Sequence, residues 1–153
     1  MNPDVETPVR LRAAVEADAD SIAALEAQCP GAAQWERDSH ARSEPAGYQR
    51  IVAERDGVIL GFIIARTAAD ELEILNLAVY PAFRRQGIGT RLLEMATSEA
   101  RTAGAKKVFL EVRESNSTAL AFYRAHRFQR SGRRKGYYSQ PCEDALALAL
   151  SLE

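Results

Sequence analysis

Three groups of residues in this chain have types and spacings suited to chemistry. The first is a basic, glycine-punctuated turn, Arg84-Arg85-Gln86-Gly87-Ile88-Gly89-Thr90. It follows an apolar, strand-like segment that stops at Pro81, and it opens a stretch in which Ile88, Leu92, Met95, Ala96 and Ala100 fall at helix spacing. N–H groups at a helix start have no partner within the helix, and the helix dipole adds partial positive charge there. Gly87 and Gly89 carry no Cβ, so the backbone can come close to an anion, and Arg84 and Arg85 add charge on the approach. Such a turn suits a phosphate. No Gly-Lys-Ser/Thr follows, which excludes the triphosphate loop, and the pattern is not the dinucleotide fingerprint, which needs a third glycine and an acidic residue about twenty positions on.

The second group centres on Glu111, inside Lys107-Val-Phe-Leu-Glu-Val-Arg113. Alternate side chains of a strand face opposite ways, so Leu110 and Val112 share one face, Glu111 and Arg113 the other. A mid-strand carboxylate is disfavoured by propensity and costly to bury alone. Either Glu111 pairs with Arg113 or another arginine on a half-open face, or it lines a cleft and takes a proton. The third group is Tyr123, in the middle of a short helix, where an aromatic residue serves a core or supplies a phenol proton.

These residues need elements to hold them. Val9–Ala13 reads as a short strand and Glu16–Gln28 as an amphipathic helix ended by Pro30-Gly31. Gln34–Ser43, with Trp35 at its head, reads as a second short helix. Tyr48–Arg55 and Val58–Arg66 flank Asp56-Gly57, a strong hairpin signal. Glu71–Tyr80 completes an antiparallel meander of three strands. The helix after the basic turn runs from Ile88 to Ala103 and stops at Gly104. Lys107–Arg113 is then most simply a parallel neighbour of the preceding strand. Ser115-Asn116-Ser117 caps a helix from Thr118 to Ala125, Phe128–Tyr138 is a basic strand, and Asp144–Leu152 a closing one. The expected fold is α/β (α+β), a single domain over 1–153.

The chain has 153 residues, 46% hydrophobic and 27% charged, ordinary for one globular domain. Its net charge of −1 gives no overall nucleic-acid signature. No signal peptide is visible and no run approaches the eighteen apolar residues of a membrane span, so a cytoplasmic protein is expected. Cys29 and Cys142 lack metal-ligand spacing and read as reduced thiols, with no context for a nucleophile; His40 and His126 show no site pattern, and no metal is expected.

The Arg84-x-x-Gly87-x-Gly89 loop resembles the pyrophosphate loop of the GNAT N-acetyltransferases. Asn76-Leu77-Ala78-Val79, that loop, Leu-Glu-Val-Arg-Glu-Ser-Asn at 110–116, Ala-Phe-Tyr at 121–123 and Arg134-Lys-Gly-Tyr-Tyr138 occur in the order and spacing of the bacterial ribosomal-protein-alanine N-acetyltransferases, the RimI type. Residues 48 to 150 carry the likeness well and the first 47 loosely. It implies the GNAT fold, a mixed, mostly antiparallel twisted sheet of about seven strands flanked by about four helices. It implies transfer of the acetyl group of acetyl-CoA to the N-terminal amine of a protein, an alanine of a small-subunit ribosomal protein. Glu111 would be the general base, directly or through water, and Tyr123 the general acid toward the coenzyme sulfur. Leu77, Ala78 and Val79 would run beside the pantetheine, Arg84, Arg85, Gln86, Gly87, Ile88, Gly89 and Thr90 would hold the pyrophosphate, and Asn116 would touch the coenzyme. Trp35, Tyr137 and Tyr138 would shape the acceptor slot. Two positions depart from the pattern. Ala33-Gln34 stand where many relatives have His-Pro, and Arg127 where many have Gly before Phe128.

An α-amine titrates near ~7.7–8.0 and a lysine near ~10.4, so freeing the lysine costs about 3.5 kcal/mol more. A carboxylate base therefore matches an N-terminus better. A phenol near ~10 giving its proton to a thiolate near ~8.5 is uphill by about 2 kcal/mol. Two rivals stand beside this reading. One is a GNAT enzyme for a lysine side chain or small amine. The other is an RNA- or ribosome-binding module built on Arg130, Arg133, Arg134 and Lys135 with Tyr137 and Tyr138. An acetyl-CoA binder without transfer activity is a third.

Overall fold

Backbone alternation organises the molecule, seen in a computed structural model that describes residues 7–29 and 47–153. Its strands are β1 (Arg10–Ala13), β2 (Tyr48–Arg55), β3 (Val58–Ala68), β4 (Glu71–Val79), β5 (Lys107–Arg113), β6 (Gln129–Ser139) and β7 (Cys142–Ser151). They form one seven-stranded sheet in the order β1-β2-β3-β4-β5-β7-β6. Three α-helices lie among the described residues: α1 (Ala19–Ala27), α2 (Ile88–Thr102) and α3 (Ser117–Ala125). The short helix expected over Gln34–Ser43, with Trp35, lies outside the described residues.

Local chemistry explains the turns. Asp56 and Gly57 both have positive φ, 52° and 78°, as a two-residue hairpin loop needs. The expected parallel step is present, with Glu71, Leu72 and Glu73 of β4 opposite Lys107, Val108 and Phe109 of β5. β7 runs antiparallel between β5 and β6. Glu16–Asp18, expected as the first turn of α1, is a separate 3-10 turn.

The chain divides into two compact units. One runs through Ala65 and includes Leu75–Ala96; the other is Arg66–Ile74 with Thr97–Glu153. In the first, Ile22 and Leu25 of α1 pack with Val52, Ile59, Phe62, Ile64 and Ala78. The same unit buries a polar pair, the Asn76 amide donating to the Glu26 carboxylate at 2.8 Å. In the second, Val108, Leu110 and Val112 of β5 are buried with Leu146 and Leu148 of β7, Tyr123 and Phe128.

Both ends of chain turning in this sheet are handled by the same device. α2 ends with Gly104 at φ 102°, its N–H bonding Arg101 and the Ala105 N–H reaching back to Ala100. α3 ends identically, with the Phe128 N–H on the Tyr123 carbonyl and the Arg127 N–H on Arg124. Here the left-handed position is held by Arg127, at φ 70°. Helix ends of this type favour glycine at that place.

Candidate active site

In the first unit, the end of β4 alternates so that Asn76 and Ala78 are buried and Leu77 and Val79 half-exposed. The Ala78 side chain is therefore committed to the core, leaving its backbone for any ligand. After Tyr80, Pro81 starts a short 3-10 turn and the Arg84 side chain folds back, Nε donating to the Val79 carbonyl at 3.2 Å. Arg85 and Gly87 have positive φ, 63° and 80°. The Gly87 carbonyl accepts the first helical bond, from Arg91 N–H at 3.0 Å. The N–H groups of Ile88 and Gly89 precede that bond, so the helix itself provides them no acceptor. No acidic side chain sits in the first turn of α2. Arg84, Arg85, Gln86 and Gly87 are exposed, whereas the Ile88 side chain is buried. An open helix start without carboxylates, next to two arginines, is suited to an anion.

A residue that sequence reasoning missed belongs to this half. A Cβ on Gly61 of β3 would meet the Ala78 carbonyl oxygen at 3.0 Å, Val79 Cγ2 at 3.1 Å and Ile88 Cγ2 at 3.3 Å. The missing side chain lets the end of β4 and the start of α2 close on β3. A strand glycine between Leu60 and Phe62 was the available signal.

In the second unit, Phe109, Glu111 and Arg113 share the half-buried face of β5. Glu111 stands opposite Ala147 of β7, which stands opposite Gly132 of β6. Across these small residues Arg134 reaches back, Nε 3.1 Å from Glu111 Oε1. The glutamate is thus paired with an arginine other than its strand neighbour. Arg113 instead donates to the carbonyls of Pro141 and Gln140, at 3.1 and 3.2 Å, and its guanidinium lies 4.2 Å over the Tyr138 ring.

Irregular pairing of β6 with β7 between Arg134 and Tyr138 presents the tyrosine pair. The Tyr137 and Tyr138 rings meet edge to face at 5.1 Å, and Tyr137 is half-exposed. Burial, followed by the neighbouring Tyr137 and Glu111, pushes the Tyr138 phenol up. Arg133 is engaged with Glu114 and Asp144 at 2.8 and 2.9 Å. Arg133 and Arg134 are therefore both spent on carboxylates, which weakens the basic run as a nucleic-acid surface.

Tyr123 is buried, only 7% exposed, between Phe122 and Phe128 at ring distances of 5.1 and 5.2 Å. Burial raises its phenol pKa far above the ordinary value. It stays protonated at neutral pH and is a poorer acid than in water, though still a hydrogen-bond donor. Asn116 caps α3, Oδ1 accepting from Ala119 N–H at 3.1 Å, which leaves the amide nitrogen for other partners. His126, with no role assigned by spacing, bonds the Phe122 carbonyl through Nδ1 at 2.8 Å and closes the helix.

The structure thus brings Glu111, Tyr137 and Tyr138 into one unit with Tyr123 and Asn116, and Leu77–Val79 and Arg84–Thr90 into the other. Trp35 lies outside the described residues.

The profile of the acetyltransferase (GNAT) family matches residues 15–128. The chain is 36% identical over 154 residues to the N-alpha-acetyltransferase RimI of Mycobacterium tuberculosis, covering 97% of this chain and 95% of that one. It is 32% identical over 120 residues to the [ribosomal protein bS18]-alanine N-acetyltransferase of Escherichia coli strain K12, covering 77% and 81%. The crystal structure of the ribosomal-protein-S18-alanine N-acetyltransferase from Escherichia coli superposes with a TM-score of 0.83 at 28% identity, over 95% of each chain.

Proposed function

Because the chain belongs to the acetyltransferase (GNAT) family, and is an acetyl-CoA-dependent N-acetyltransferase, we propose that its acceptor is the N-terminal alanine of ribosomal protein bS18. The observation that carries this reading is the likeness to the bS18-alanine and N-alpha enzymes along most of the chain. A single domain over 1–153 acting in the cytoplasm belongs to the same proposal. Among the described residues no helix is long and apolar enough to cross a membrane.

In this reading the N–H groups of Ile88 and Gly89, with Arg84, Arg85, Gln86, Gly87 and Thr90, hold the coenzyme diphosphate. The backbone of Leu77, Ala78 and Val79 pairs with the pantetheine amides, and a β4 N–H receives the oxyanion. Asn116 contacts the coenzyme through its free amide. Glu111 takes the proton of the acceptor ammonium and passes it to solvent. The neutral amine attacks the thioester carbon and forms the C–N bond, and the C–S bond breaks with its electron pair on sulfur. The second proton of the nitrogen is lost to solvent or to the departing thiolate, leaving the amide and the free thiol. Tyr123 donates a hydrogen bond to that sulfur, its raised pKa making full proton transfer more costly than in water. Tyr137 and Tyr138, with Trp35, line the acceptor slot.

The decisive experiment incubates the protein with acetyl-CoA and a panel of peptides, including the bS18 N-terminus, with free and blocked α-amines, and reads acetylation by mass spectrometry. Modification of free N-termini beginning with Ala, and not of internal lysines, is expected. Acetylation of lysine in α-blocked peptides alone would overturn it.

A further inference from the structure

We propose that Arg134 is a positioning residue for the acceptor: its guanidinium holds one oxygen of Glu111, and its charge favours the neutral form of an arriving amine. The inference rests on the reading of Glu111 as the base.

Four observations support it. The contact is made by Nε to Oε1 at 3.1 Å, and among the described residues Glu111 makes no other ion pair. Oε2 is left to accept a proton. The glutamate side chain is 18% exposed and the arginine 62%, so the pair forms at the rim of a half-covered face. Arg134 reaches Glu111 across Ala147 and Gly132, neither of which blocks the path. Arg134 Cζ also lies 5.4 Å from the Tyr137 ring, which gives the guanidinium a second support on its own strand.

Of the other charged and titratable groups nearby, Lys135 and Arg130 of β6 act on Asp144 and Glu114, respectively, and the following are held in contacts of their own. On β5, Arg113 is tied to the Gln140 and Pro141 carbonyls and the Tyr138 ring. On β7, Glu143 accepts from the Ser115 N–H and hydroxyl, and Asp144 is engaged with Arg133 and the Gly136 N–H. Glu114, after β5, is bound by Arg133. On β6, Tyr138 is a neutral phenol with a raised pKa, and Tyr137 is its edge-to-face partner. Arg134 is the cation in direct contact with Glu111. An ammonium arriving at Oε2 meets a like charge within a few ångströms, which disfavours its protonated form. The base then removes a proton the site has already loosened. A guanidinium suits this role because it remains charged at every working pH.

The test measures kcat against pH, at saturating acetyl-CoA and saturating Ala-starting peptide so that the limb reports the bound amine, for wild type, Arg134→Gln and Arg134→Lys. For Arg134→Gln we expect about a tenfold loss near pH 7, with convergence on wild type above about pH 9, where the α-amine is neutral unaided. Its acidic limb should move up by about half a unit or more. The KM for acetyl-CoA should not change. Arg134→Lys should restore the position of the limb while remaining slower, since the planar Nε contact is gone. An Arg134→Gln curve superposable on wild type overturns the inference, and so does a loss equal at every pH. A wild-type enzyme inactive on every free N-terminus overturns the reading of function beneath it, and this inference with it.

Discussion

At the residue scale, the functional weight falls on two groups whose surroundings differ in kind. Glu111 sits on a half-covered strand face with one oxygen tied to Arg134. Tyr123 sits among aromatic rings with its phenol pushed up by burial. Glu111→Gln keeps the size and the contact with Arg134 but cannot take a proton, so turnover at neutral pH should fall by about 10²-fold or more. Acetyl-CoA affinity, measured by calorimetry, should stay nearly unchanged. Tyr123→Phe retains the contacts with Phe122 and Phe128 and should fold. Loss of one hydrogen bond to a developing thiolate predicts a rate about 10- to 100-fold lower in a single-turnover assay. Glu111 and Tyr123 were legible as candidates because residue type and parity are local properties. Arg134 as the partner of Glu111 was not: the two are far apart in sequence and meet only through the pairing of β5, β7 and β6. The choice between Arg113 and another arginine could not be made from parity alone.

At the element scale, the left-handed residue that ends α3 is the clearest sign of cost. Arg127 holds φ 70° in the place where α2 uses Gly104. Arg127→Gly should therefore stabilise the protein by about 1 kcal/mol, read as a rise in Tm with activity retained. In the opposite sense, Gly87→Ala forces an L-residue to φ 80° in open space and should cost about 1 kcal/mol. Gly61→Val is a different kind of insult. Its side chain would press on the Ala78 carbonyl, Val79 and Ile88, costing about 2 kcal/mol, and it should weaken acetyl-CoA binding beyond the loss of stability. The strands, the Asp56-Gly57 hairpin and the α2 and α3 helices were readable because periodicity and turn chemistry are short-range. Gly61 was not read because its reason is a close approach by β4 and α2, which no local pattern reports.

At the scale of the whole molecule, each compact unit contains an arginine that binds two carboxylates. Arg12 holds Asp18 and Glu54 in the first, and Arg133 holds Glu114 and Asp144 in the second. The bidentate bond from Arg12 keeps the Asp18 pKa below its ordinary value, and Arg133 does the same for Glu114. Asp144 is lowered by the Gly136 N–H and then Arg133, Glu143 by the Ser115 N–H and hydroxyl. A carboxylate depressed on folding adds stability that is present above its unfolded pKa and lost as pH falls through the folded one. Thermal melts should therefore be flat near neutral pH and fall off below about pH 4. Arg12→Met should lower Tm at pH 7 and flatten that acid dependence. The two cysteines differ in a way that has a practical use. Cys29 is buried, its thiol against the Val79 carbonyl, while Cys142 is exposed where β7 begins, opposite Ser139 and beside Glu143, the partner of Tyr138. A maleimide dye will consequently mark the native enzyme at one position, beside the tyrosine hairpin, and its emission can follow a peptide arriving there without any engineered handle.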